Sequence, residues 1–406
     1  MNLRNRFGLY GSYFFGMAGI GFTLPYLPAY LKETKGYSDQ DIALVFVLSA
    51  VAGLVQFPLG LWSDKLGRRK PFLVAALAVL AGATLVLPWA GGLLLGVAVV
   101  LFAENGACRA TVESLAGAEA AHLAEPGQVG RAIGALRFWR PVSIVLTALL
   151  GGVLAKQFGV AWLLGPVAVL QGLAVVAALA ITDDRGGKHP DPTPSADAEP
   201  ADGPKSLGLK DAKLWVFIAA MVLFHVGNAP GGMYLGLYLQ GDLAAPKDYM
   251  SFAFVVSMVA WMGAVRPAGR LADALGRKPV LIAAWTIMTV RLVLIAVAQA
   301  GWQILLIQPL DGLGQGLFAV TAAAWVTDRL ADPKRVGEAQ VLVGCALVGG
   351  SALGPALAGL VVGDLGYRGT FWVLAGVGAV ATLIVTFLVP ETKTADAPAV
   401  TAEEKV

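Results

Sequence analysis

Long, predominantly apolar runs recur along nearly the whole of this 406-residue chain, each followed by a short polar stretch. Such a run crosses a hydrocarbon core of roughly 30 Å as a helix. Lipid offers no partner to a bare N–H or C=O, so helices are the reading for runs of this length. Twelve are predicted, over residues 7–31, 42–62, 72–90, 93–120, 131–156, 161–182, 213–240, 250–271, 279–300, 303–330, 337–363 and 367–390. With 57% hydrophobic and only 14% charged residues, the chain is too apolar for a soluble domain. Its 50 glycines suit close helix packing in lipid. The opening Met1–Arg6 and the apolar run after it resemble a secretory leader, but Phe7–Leu31 is too long for one, and it is taken as the first span. Cys108 and Cys345 lie inside apolar runs, so no disulfide framework, metal site or cofactor is expected. A net charge of +3 points to no nucleic acid.

Orientation follows from Lys and Arg. With both termini cytoplasmic, the cytoplasmic segments hold 20 of them, the outer loops five (Lys32, Lys35, Lys156, Lys247, Arg368) and the spans the other five. The expected setting is therefore a multi-pass inner-membrane protein, read as a monomer. Residues 183–212, rich in Pro, Asp, Gly and Ala, cannot bury a core and read as a disordered cytoplasmic linker in which His189 is solvated. They divide a first bundle (1–182) from a second (213–392), with a polar tail over 393–406.

The two parts carry one pattern. Leu27-Pro-Ala-Tyr-Leu31 echoes Leu235-Gly-Leu-Tyr-Leu239, Pro58 answers Pro267, and Glu125-Pro126 answers Asp332-Pro333. Gly60-Leu-Trp-Ser-Asp64-Lys-Leu-Gly67-Arg68 echoes Gly269-Arg-Leu-Ala-Asp273-Ala-Leu-Gly276-Arg277. The predicted fold is all-α, twelve transmembrane helices in two pseudo-symmetric six-helix bundles, with a site for a small-molecule substrate between them near mid-bilayer.

The pattern G-x-x-x-D-x-x-G-R-[RK] after the second span, repeated after the eighth, resembles the signature loop of the major facilitator superfamily. The resemblance implies a secondary transporter working by alternating access. It further implies that, when the site faces outward, the loop latches neighbouring helices, through Gly60, Asp64, Gly67 and Arg68 with Glu119 as acidic partner, and through Asp273, Gly276 and Arg277 with Asp328. On the residues alone, Arg68, Arg69 and Lys70 could equally be positive-inside anchors.

Ionisable side chains at bilayer depth are costly and are functional candidates by default. At about 1.5 Å per residue, Glu113 and Arg137 lie roughly 8 Å from the cytoplasmic end, Arg109 and Arg140 about 13 Å in, and Glu104 deeper. Glu113 with Arg137 is the expected pair. The stretches Thr111-Val-Glu113 and Gly134-Ala-Leu-Arg137-Phe-Trp also resemble the carboxylate–arginine pair of the oligosaccharide:proton symport branch. Glu104 is the first candidate for proton coupling, followed by Glu113, Asp311 and His225. Arg109, Arg137 and Arg140 either meet an anionic or strongly polar substrate or brace backbone carbonyls. Arg291 and Asp311 share a depth on adjacent helices and should bridge, and Gly312, Gly314 and Gly316 beside them read as close packing. Arg266 is read as snorkelling to the inner end. Asn228, Tyr26, Tyr234, Gln56, Trp139 and Tyr13 are further cavity candidates, and Pro25, Pro28 and Pro230 candidate bends.

The motif loop and apolar lining resemble the drug and metabolite efflux branch, which implies proton antiport. Against it, the fifth span reads Arg137-Phe-Trp-Arg140-Pro141, without the glycine-proline signature of such antiporters, and Gly354-Pro355 lies only in the eleventh. Proton-linked uptake of a polar or anionic solute and passive facilitation stay open. No H-E-x-x-H or Walker loop is present, and His122, His189 and His225 are scattered, so neither an enzyme nor an ATP-driven pump is expected.

Overall fold

The structure, a computed structural model, describes residues 3–103, 106–123, 129–182, 211–330 and 336–392. Glu104, nearly all of the 183–212 stretch and the 393–406 tail lie outside the described residues, as do the side chains of Asp64 and Arg266. The first passage is α1 (Leu3–Met17) with α2 (Ile20–Glu33), and the second is α3 (Asp39–Ala52) running through a tight turn into α4 (Gln56–Lys65). The third is α5 (Lys70–Val86), and the fourth is α6 (Gly92–Phe102) with α7 (Ala107–His122). The fifth and sixth are α8 (Val129–Phe158) and α9 (Leu164–Leu179). Passages seven to ten are α10 (Ala212–Gly241), α11 (Asp248–Leu275), α12 (Arg277–Val297) and α13 (Gly301–Leu330). The helical stretch α14 (Val336–Leu388) holds the last two, which meet at Gly366 (φ 64°, ψ −178°). Among the described residues ten stretches are long and apolar enough to cross a bilayer; one of them, Leu342–Leu388, is 47 residues long and accommodates two passages, and the shorter α5 supplies the remaining one. The result is a multi-pass, all-helical membrane protein of twelve passages.

The face that carries Leu3 and Thr392 is the terminal face, and the turns at 34–38 and 242–247 mark the far face. Besides the turn between α3 and α4, the first and fourth passages are interrupted within their apolar runs. Between α1 and α2 the ladder tightens, with Gly21 N–H donating to the Ala18 carbonyl (3.2 Å) and Phe22 N–H to that of Gly19 (3.2 Å). A Cβ on Gly19 would lie 2.5 Å from the Arg109 guanidinium. The expected bends at Pro25 and Pro28 are not where the interruption falls: α2 runs through both.

Gly312, Gly314 and Gly316 bring α13 against α11 and α12, as expected. A Cβ on Gly312 would sit 1.9 Å from the Ser257 carbonyl oxygen, and one on Gly314 2.5 Å from Met288. The Gly312 contact is to backbone and has no flexible side chain to yield, whereas Gly314 meets the Met288 side chain. Gly312→Ala is expected to cost about 1–3 kcal/mol through overpacking, read as a lowered thermal unfolding midpoint of the purified protein. An unchanged midpoint would mean that α13 stands off from α11.

Three buried apolar clusters define the architecture. One lies toward the far face and joins the two halves, with Tyr26, Leu27, Tyr30 and Ile42 packed in the same body as Tyr234, Tyr238, Leu239 and Phe371. Toward the terminal face the core splits. Leu9, Tyr13, Leu77 and Val112 belong to a cluster built on the first half, while Phe217, Phe224, Trp285 and Trp325 belong to one of the second. The halves are therefore sealed together at one end, while toward the other their buried cores are separate, with Phe254 and Met258 of α11 packed against the first.

Candidate functional site: a cavity between the halves

Closure at the far face is polar as well as apolar. Lys32 is paired with Asp39 at 2.7 Å, and the Tyr367 hydroxyl joins both. Lys247 meets Glu33 at 2.7 Å and Lys156 meets Asp248 at 3.0 Å, each across the halves. Deeper, the Tyr26 and Ser251 hydroxyls are 2.5 Å apart, and Tyr234 donates to the Asp39 carbonyl at 3.4 Å. Exposed ion pairs contribute only about 0.2–1 kcal/mol each. A seal made of such pairs is modest in sum and can be released stepwise. The structure thus places Tyr26 and Tyr234, expected at the substrate, in the seal.

Below the seal lies a cavity of about 350 Å³ to which both halves contribute, among them Ser49 and Arg140 from the first and His225, Gln315 and Ser351 from the second. A second cavity of about 160 Å³ shares Leu24, Ala229, Gly232 and Gln315 with it, and reaches Asn228, Gln308 and Asp311. Together they fall in the range of small-molecule sites, roughly 300–1,000 Å³. His225 and Asn228 lie three residues apart on α10 and so share a helix face. His225 is edge-on to Phe318 at 5.1 Å, and its Nε2 has no hydrogen-bond partner among the described residues. Asn228 donates from Nδ2 to the Phe224 carbonyl at 2.9 Å, and its Oδ1 has no partner among the described residues.

Two ion pairs flank this space. On the second half Arg291 donates to Asp311 Oδ1 at 2.5 Å and Ser257 to Asp311 Oδ2 at 2.5 Å, so the expected bridge is formed. On the first half the carboxylate is Glu113, as expected, but its partner is Arg140 (3.7 Å), with the Tyr13 hydroxyl donating to it at 2.8 Å. The pairing expected with Arg137 is corrected: Arg137 is exposed. The two arginines differ by about 60° around α8 and roughly 4.5 Å along it, and depth alone does not choose between them.

The remaining candidates lie elsewhere. Arg109 is buried inside the first half and donates to the Met17 carbonyl at 3.4 Å, beside the α1–α2 interruption, the bracing alternative. Gln56 is bonded to Ser114 at 2.5 Å, and Trp139 packs edge-on to Phe14 at 5.9 Å. The sequence reading passed over Gln308 and Gln315. They stand three residues before and four after Asp311, so the three make one polar stripe on α13.

At the terminal face the second copy of the repeated loop is assembled. Arg277 reaches Asp273 at 2.5 Å and Asp328 at 3.1 Å, which brings together the residues expected there. The Glu391 carboxylate accepts from the amides of Arg277 and Lys278 (2.9 and 3.0 Å), an anion on the open N–H groups at the start of α12. Gly276 has φ 101°, and a Cβ there would lie 2.5 Å from that carboxylate. In the first copy Gly67 has φ 61° and Gly60 faces open space, Arg68 is exposed, and Glu119 is buried. Nearby, Asp211 caps α10 and is bonded to Arg329. Burial pushes its carboxyl up, but the Arg329 guanidinium and the amides of Lys213 and Leu214 outweigh that and hold it below the ordinary carboxylate value.

Comparison with known proteins agrees with this build. The MFS_1 like family matches residues 7–373. An uncharacterized MFS-type transporter of Mycobacterium tuberculosis is 27% identical over 92% of this chain and 90% of its own length. The multidrug resistance protein MdtL of Klebsiella pneumoniae is 31% identical over 43% of this chain, and the chain spans 44% of MdtL. In fold it is similar to the nucleoside transporter NupG (TM-score 0.77, 15% identity, 95% of this chain and 98% of that one) and to a D-xylose-proton symporter (TM-score 0.72, 15% identity, 96% and 98%). A twelve-passage bundle matched by that family from the first passage into the last is a multi-pass membrane transporter, and the chain belongs to the major facilitator superfamily.

Proposed function

We propose that the chain is a proton-coupled secondary transporter that carries a small organic molecule across the cell's inner membrane by rocking its halves about the central cavity. The observation that carries this reading is that cavity: polar groups from both halves line it, the far face is sealed over it, and the buried cores of the halves are separate toward the terminal face. The 20-to-five bias of Lys and Arg puts the terminal face in the cytoplasm, so the described state opens inward. Residues 1–182 and 213–392 are then the two moving bodies, and the Gly60–Arg68 and Gly269–Arg277 loops with Glu119 and Asp328 are the latches that steady them.

Glu113 is the coupling group in this proposal. It shares one network with Tyr13 and Arg140, and Arg140 lines the cavity. Protonating Glu113 removes the countercharge of Arg140, so proton and substrate sense each other through one guanidinium. Glu104, His225 and the bridged Asp311 rank behind it. Efflux by antiport is supported by the likeness to MdtL over part of the chain. The unpartnered polar atoms in the cavity favour a second reading, proton-linked uptake of a polar solute.

Proteoliposomes with an imposed pH gradient of either sign decide direction. The Glu113→Gln variant is expected to lose gradient-driven accumulation at least about tenfold while substrate exchange at equal pH persists. Accumulation by Glu113→Gln at the wild-type level sinks Glu113 as the coupling group. Wild-type transport indifferent to collapse of the gradient makes the protein a passive facilitator.

A further inference from the structure

We propose that the cavity beside Asp311 recognises an uncharged solute that donates hydrogen bonds through at least two O–H or N–H groups. The proposal rests on the transporter reading and specifies its substrate class. Two residues that line this cavity, Asn228 and Gln308, each carry a buried acceptor without a partner among the described residues, Oδ1 and Oε1, and each residue is 4% exposed. The amide of Asn228 is held in place by the Phe224 carbonyl, so its oxygen is the atom that remains available. A buried acceptor left unmade is costly, and a ligand donor removes that cost on binding.

Charge points the same way. Arg291 is answered by Asp311 and Arg140 by Glu113. Both oxygens of Asp311 are already engaged, one by Arg291 and one by Ser257. While Glu113 is ionised, the two arginines lining these cavities therefore carry no spare charge for an anion, and Asp311 carries none for a cation. An ion entering a site so balanced would shed water without gaining a counterion. An uncharged solute loses nothing of that kind. Leu24, Met250 and Phe254 supply an apolar wall for its carbon skeleton. Sugars, polyols, nucleosides and small amides share this chemistry.

The test uses the full chain purified in detergent, with its thermal unfolding midpoint followed against D-ribose, myo-inositol and uridine as uncharged donors, succinate and inorganic phosphate as anions, and tetraphenylphosphonium as a cation. At least one uncharged probe is expected to raise the midpoint while the ions leave it unchanged. Asn228→Leu and Gln308→Met are each expected to weaken that binding at least about tenfold. Because the two substitutions fall on different helices, the one whose ligand-free midpoint matches wild type serves as the reference. Stabilisation by the ions alone, by none of the probes, or undiminished in both variants overturns the proposal. An uncharged probe that binds but is not exchanged across proteoliposomes leaves the recognition site standing and removes the transporter reading. Exchange of succinate or phosphate with no uncharged probe bound does the reverse.

Discussion

Oxidising a Gly152→Cys/Ser251→Cys variant is expected to stop transport completely, and reduction to restore it. Gly152 stands on α8 of the first half and Ser251 on α11 of the second. A Cβ built on Gly152 lies 3.0 Å from the Ser251 Cβ. A disulfide needs about 3.5–4.5 Å between Cβ atoms, so a relaxation of roughly half an ångström suffices. The bond would replace the weak polar seal of Lys32, Lys247 and Lys156 with a covalent one, and the far face could no longer part. Substituting Cys345, which is exposed, by Ser removes a competing thiol. The readout is exchange of any probe the wild type carries, with and without reductant, and either single cysteine variant under oxidant is the control. A fully cross-linked protein that exchanges at the wild-type rate would show that the far face never has to open.

The fold was legible because lipid makes it so. Apolar runs that must be helices, and motifs repeating at a near-constant offset, leave little freedom for twelve passages. The interruptions between α1 and α2 and between α6 and α7 were not legible, since hydropathy is blind to where a hydrogen-bond ladder tightens. Depth along the helix correctly joined Arg291 to Asp311, because antiparallel neighbours at one level have few alternatives. It failed for Glu113, where Arg137 and Arg140 differ mainly in rotation about α8. Tyr26 and Tyr234 read as cavity residues because a polar tip in an apolar helix signals only that it needs a partner, and the partners, Ser251 and the Asp39 carbonyl, lie across the halves. The Gln308, Asp311, Gln315 stripe was readable from its spacing alone, since polar residues three and four apart share one helix face.

Arg291→Leu is the single substitution expected to damage stability most. Arg291 is 2% exposed, and its guanidinium lies against the backbone of α10, where a Cβ on Gly231 would be 2.8 Å from it. Removing it strands Asp311, which keeps only the Ser257 hydroxyl. Breaking one side of a buried pair costs about 3–5 kcal/mol, whereas replacing both sides with apolar groups is often close to neutral. Asp311 retains some contact with the cavity, its side chain being 24% exposed, which places the loss toward the lower end of that range. Adding Asp311→Leu should therefore return most of the lost stability, and the coupling read from the double-mutant cycle should be strongly favourable. Function separates from stability at this point. A double variant that unfolds like wild type yet carries none of the probes wild type carries assigns the pair to recognition, because it sets the charge balance of the cavity. One that still carries them confines the pair to bracing α12 against α13. If Arg291→Leu alone unfolds at the wild-type midpoint, the pair is neither buried nor coupled, and the charge argument for an uncharged substrate falls with it.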